Sequence, residues 1–178
     1  MVNIVNAIKK SLKHKVKPGK KNILQRFFKT GPGEYGAGDV FLRVMVPQIR
    51  EVADYWKQVD LKDIEKLLKS KIHEERLCAL LLLVKAYVYS EAIGKEQIVR
   101  FYLSNTKYIN NWDLVDLTAP RILGDYLINK PRDIIYDLSK SSDLWEKRIA
   151  VLACFAFIRI KDFKDIVASK LHLIPKFR

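Results

Sequence analysis

Cysteine and histidine are scarce in this 178-residue chain, and acidic residues are missing altogether from its first thirty positions. The two cysteines, Cys78 and Cys154, lie far apart and make neither a disulfide framework nor a CxxC pair for zinc or redox chemistry. That usage fits a reducing, cytoplasmic compartment. The three histidines, His14, His73 and His172, have no Cys or carboxylate partner at metal-ligand spacing, so no metal site, no cofactor and no hydrolase triad is expected. His73-Glu74-Glu75 reads more simply as a helix first turn, where carboxylates complement the dipole. The longest apolar run, 77–84, is bounded by Arg76 and Lys85 and is far shorter than the ~20 residues a bilayer requires. The N-terminus has no apolar stretch of the kind secretion uses. Neither a membrane span nor export is expected.

Hydrophobic residues, by contrast, make up 49% of the chain, too many for a disordered basic tail. A chain of this length can bury roughly 70% of its unfolded surface, so residues 1–178 are expected to form one domain. The formal charge is +13, and nine basic residues stand within the first thirty: Lys9, Lys10, Lys13, Lys15, Lys17, Lys20, Lys21, Arg26 and Lys29. The other 148 residues hold 24 Lys+Arg against 20 Asp+Glu. The basic segment 1–29 therefore reads either as solvated helix faces or as a surface for a polyanion. Residues 9–21 have no bulky aromatic face, which makes anionic lipid the weaker partner.

Apolar residues recur at three and four rather than at two, which predicts helices over 2–13, 20–29, 47–57, 61–69, 73–89, 95–104, 112–128, 131–139, 143–160 and 162–171. Turn residues separate them at Lys17-Pro18-Gly19, Asp60, Ser70, Gly94, Pro131 and Ser141-Ser142. The fold is all-α. Helix pairs recurring every 35 to 45 residues or so suit a stacked helical repeat, and helix 73–89, apolar nearly all round, belongs between neighbours. Five of the seven glycines fall between Gly19 and Gly38, and 31–39 is a glycine-rich loop. Its Gly31-Pro32-Gly33-Glu34-Tyr35-Gly36 matches G-x-G-x-x-G in form only, since no strand precedes it and no βαβ unit surrounds it.

The segment Asn111-Trp112-Asp113-Leu114-Val115-Asp116 carries the chemistry. On a helix, Val115, Ala119, Ile122, Leu123, Tyr126 and Leu127 form one apolar stripe; Trp112 and Asp116 share its margin, one turn apart, and Asp113 lies outside it. Pro120 cannot donate to the carbonyl of Asp116, so the helix should bend or open at this pair. Two roles are open for the pair: an interhelical ion pair with packing indole, or an acid and an aromatic face at a concave site. In the next helix Asp143 and Glu146 suggest a capping arrangement. Arg148, in the second turn, either bridges Glu146 or another acid, or grips a phosphate with its fork.

Several blocks together resemble one family. They are 27–36 with Asp39, Val46-Pro47-Gln48-Ile49-Arg50, His73-Glu74-Glu75-Arg76-Leu77, 111–116 and Leu144-Trp145-Glu146-Lys147-Arg148. In order and over nearly the whole chain they look like the DNA alkylation repair family of HEAT-like-repeat glycosylases, the AlkD type. The resemblance implies a superhelix of antiparallel helix pairs with a cationic concave face for duplex DNA. It implies excision of N-alkylated purines such as 3-methyladenine and 7-methylguanine, without metal or cofactor and without flipping the base into a pocket. By position, Asp116 matches the carboxylate beside the anomeric carbon and Trp112 the tryptophan against the sugar. Arg148 matches a phosphate-binding arginine and Phe27 an aromatic of the opposite wall. Lys20, Lys21 and Lys29 are the expected DNA-contacting lysines of the basic segment. Relatives of this type run on past Arg178 with helices that bring another aromatic residue, so the chain is expected to lack those C-terminal helices. The expected protein is a monomeric glycosylase acting on double-stranded DNA; the alternative is a non-catalytic helical-repeat module that binds nucleic acid.

Overall fold

A computed structural model describes residues 3–16, 28, 31, 34, 36, 38–56 and 58–164. Their regular secondary structure is helical; they contain no strand, only an isolated bridge between Val40 and Ile72. The all-α expectation holds. The chain divides into two compact units, Met1–Ser90 and Glu91–Arg178.

In the first unit, α1 (Ile4–His14) starts at Asn3, whose side chain accepts the Asn6 amide at 3.2 Å, and it buries Val5, Ile8 and Leu12. That spacing places the three on one face. Helix α2 (Val46–Tyr55) begins with Pro47 in its first turn, where a missing N–H costs nothing. Helix α3 (Leu61–Leu68) buries Ile64, Leu67 and Leu68, and α4 (His73–Tyr89) is buried without a break over residues 73–84. Helices α1, α2 and α3 all pack on α4, so the helix with no polar face is the one its neighbours surround. Lys85 of α4 pairs with Asp54 of α2 at the edge of this core.

His73-Glu74-Glu75 is the first turn of α4, as expected. Both carboxylates are also tied to other parts of the chain. Glu74, 2% exposed, accepts the amides of Leu42, Arg43 and Val44 at 2.8, 2.6 and 3.2 Å. Glu75 pairs with Lys9 of α1 at 2.8 Å. A buried carboxylate is tolerated only with such partners, and here it holds the segment before α2 in place. Gly38, at φ +87, supplies the left-handed turn that leads into this segment.

In the second unit, α5 (Ala92–Ser104) takes in Gly94, a position expected to be a turn. A 3-10 turn (Thr106–Tyr108) leads to α6 (Trp112–Asp116), then a π-helical turn (Pro120–Gly124), α7 (Asp133–Lys140), α8 (Leu144–Ala153) and α9 (Phe155–Ile158). The expected helices 112–128 and 143–160 are thus each divided, the first at 117–119, just ahead of Pro120, and the second at Cys154. Helices α7 and α8, joined by three residues, pack as a helical hairpin, and α6, α9 and the π turn all pack on α8.

Candidate functional site

Helix α6 is short for stated reasons. The Asn111 side chain accepts the Trp112 amide at 2.8 Å and starts the helix. At its other end the hydroxyl of Thr118 donates to the Leu114 carbonyl at 2.6 Å, a bond that competes with regular helix. Thr118 has given its only hydrogen, so Tyr102 donates to it across 3.0 Å. Pro120 then has no N–H for the Asp116 carbonyl. The chain widens: the Gly124 amide reaches the Ala119 carbonyl at 2.9 Å, five residues back. The opening expected at Pro120 is therefore a π turn, a form common at functional sites.

The expected stripe is buried except at Tyr126. Val115, Ala119, Ile122 and Leu123 are fully buried and Leu127 nearly so, Tyr126 is only half-buried, and Trp112 and Asp116 are half-buried at the margin. Asp113, outside the stripe, is nevertheless only 4% exposed.

Asp116 and Arg148 meet. Arg148 Nε donates to one carboxylate oxygen at 2.7 Å and Nη2 to the other at 2.8 Å. This fork-to-fork geometry fixes the plane of the carboxylate as well as its position. Both side chains remain about a third exposed, at 32% for Asp116 and 30% for Arg148. A pair so exposed adds little to stability, so its main consequence is orientation. The arginine expected to bridge an acid or grip a phosphate thus bridges Asp116, and not Glu146.

Glu146 has other partners. It accepts the hydroxyl of Thr106 at 2.7 Å and that of Ser141, linking the 3-10 turn and the α7–α8 connection to α8. The capping arrangement is accordingly split: Asp143 accepts the Trp145 amide at 2.6 Å, and Ser141, not Glu146, accepts the Asp143 amide at 3.0 Å. Asn111 and Glu146 were not singled out in the sequence as positioning residues. Asn111 was legible as the residue ahead of an apolar-periodic run, but Glu146 depends on contacts 40 residues away.

Of the other expected site residues, Phe27, Lys20, Lys21 and Lys29 lie outside the described residues. Among the described residues no three His, Cys, Asp or Glu side chains gather where they could hold a metal ion, and no helix is long and apolar enough to cross a membrane. A carboxylate held in a fixed plane by a guanidinium, with an indole one turn away along the helix, can stabilise positive charge. A comparison with curated proteins finds no match. The model of one family, described as DNA alkylation repair enzyme, matches residues 8–174, a span that includes every residue of this arrangement, and the chain belongs to that family.

Proposed function

We propose that this member of the DNA alkylation repair enzymes is a monofunctional glycosylase that hydrolyses N-alkylated purines from duplex DNA, 3-methyladenine and 7-methylguanine among them. The observation that supports it best is the bidentate hold of Arg148 on Asp116, one turn from Trp112. An N-alkylated purine is already a cationic leaving group and needs little acid catalysis. What remains is an oxocarbenium-like sugar, which an anion and a π face stabilise. Asp116 supplies the anion and orients the attacking water; Trp112 supplies the face. Arg148 keeps the carboxylate in position, and its charge beside the sugar suits a backbone phosphate. Lys20, Lys21, Lys29 and Phe27 complete the DNA contact, and the protein works as a cytoplasmic monomer on the nucleoid.

A second reading, a non-catalytic nucleic-acid-binding module, draws support from the same ion pair, since an Asp held by Arg on a neighbouring helix is also an ordinary structural arrangement. Release of 7-methylguanine from methylated duplex DNA separates the two. The wild type should release base above the spontaneous rate, and Asp116→Asn should be slower by about a hundredfold, the scale of losing one preorganised electrostatic group. Wild-type protein that binds the duplex and releases no base leaves only the module.

A further inference from the structure

The first unit contains a cleft of about 510 Å³ between α1 and α2 that the proposed chemistry does not use. Its α1 wall is Ala7, Lys10, Ser11 and His14, spaced as one helical face. That face is distinct from the one that buries Val5, Ile8 and Leu12. Ala7 and Ser11 are small and leave the floor open. The α2 wall ends in an aromatic pair, Tyr55 and Trp56, with ring centroids 5.3 Å apart and planes at 80°. Trp56 is anchored by its indole N–H, which donates to the Ser11 hydroxyl at 3.4 Å. Tyr55 is 78% exposed, so its ring face is open to a ligand in the cleft.

The charge around the cleft is one-sided. Lys15 and Glu51 pair at 2.6 Å and offset each other. Lys10 and His14 are exposed and one turn apart on the α1 wall, and Glu51 is the one carboxylate of the lining. A lysine beside an exposed tyrosine and a half-buried tryptophan, in a cleft of small-molecule size, suits a ligand with an aromatic ring and an anionic group.

We propose that this cleft binds one nucleotide of a single-stranded nucleic acid, with the base against Tyr55 and Trp56 and its phosphate toward Lys10 and His14. A paired duplex base presents no free face to stack on these rings, so the site takes unpaired nucleotides and is separate from base excision. The expected contact is tolerant of sequence, because every base has a π face, and it weakens with salt because phosphate contacts release counterions.

The test uses full-length protein labelled with 5-fluorotryptophan. The chain has three tryptophans, and Trp56→Phe assigns the ¹⁹F line of Trp56. Titration with oligothymidylate or oligouridylate should move that line, and the chain acting at lower concentration identifies DNA or RNA as the source. Tyr55→Ala, at a residue exposed enough to replace without unfolding the protein, should weaken binding about tenfold, and Lys10→Glu should weaken it and flatten its salt dependence. A Trp56 line that stays still, or that moves equally with an abasic oligonucleotide or with oligoglutamate of the same charge, overturns the proposal. So does an affinity unchanged in Tyr55→Ala. Since these readouts involve no base release, loss of the glycosylase reading and loss of this site are told apart.

Discussion

The side chain of Asp39 is only 5% exposed and sits between His73, at 3.4 Å, and Arg76, at 2.7 Å. Burial alone raises its carboxyl, but the hydrogen bond from His73 and the Arg76 guanidinium outweigh it and hold the group below the usual 3.8. A carboxyl depressed in the folded state adds stability above its ordinary value, and that stability is lost as pH falls through the folded value. Asp39→Asn leaves Arg76 buried without its counter-charge, so at pH 7 it should cost about 3 kcal/mol. The gap to wild type should narrow as pH is taken below 3.8, the usual carboxyl value; urea denaturation at pH 7 and pH 3 measures both. Nothing in local spacing links Asp39 to His73 and Arg76, more than thirty residues on. The pairing of Asp116 with Arg148 was hidden for the same reason: each residue was recognisable separately, and their contact was not.

Among the elements, the π turn shows how far a local rule reaches. Pro120 foretold an opening from its missing N–H alone, but the form of that opening depends on what packs behind it. Gly124 is where this is tightest: a Cβ there would lie 2.3 Å from the carbonyl oxygen of Ala153 and 2.9 Å from the Ala156 Cβ. The first of these atoms is backbone and cannot swing aside. Gly124→Ala should therefore destabilise the protein by about 2 kcal/mol, the usual cost of overpacking, although alanine is the better helix former. An unchanged denaturation midpoint would show that α8 and α9 can retreat from the turn. Helix positions were legible nearly everywhere because each amphipathic stretch carries its own period. Helix ends were less so: Gly94 was tolerated inside α5, and Cys154 separates α8 from α9 without a proline or glycine to announce it.

For the whole molecule, charge placement is the property with a direct consequence. Nine basic residues and no acidic one in the first thirty positions predict that affinity for duplex DNA falls steeply with salt. Each neutralised phosphate adds about 0.9 to the slope of log K against log salt. Replacing Lys20, Lys21 and Lys29 together by Gln should lower that slope by two to three units or so; fluorescence anisotropy from low to physiological salt measures it, and an unchanged slope removes these lysines from the contact. Composition, helical period and charge are properties of short stretches, so the amino-acid sequence was enough for the all-α class, the apolar stripe beside Trp112 and Asp116, the break at Pro120 and the basic N-terminus. The folded chain was needed for everything that joins distant stretches: the plane in which Arg148 holds Asp116, the amides that Glu74 collects, the hydroxyls that Glu146 accepts, and the cleft between α1 and α2. Those depend on distances in space between residues far apart in the chain, and no local periodicity encodes them.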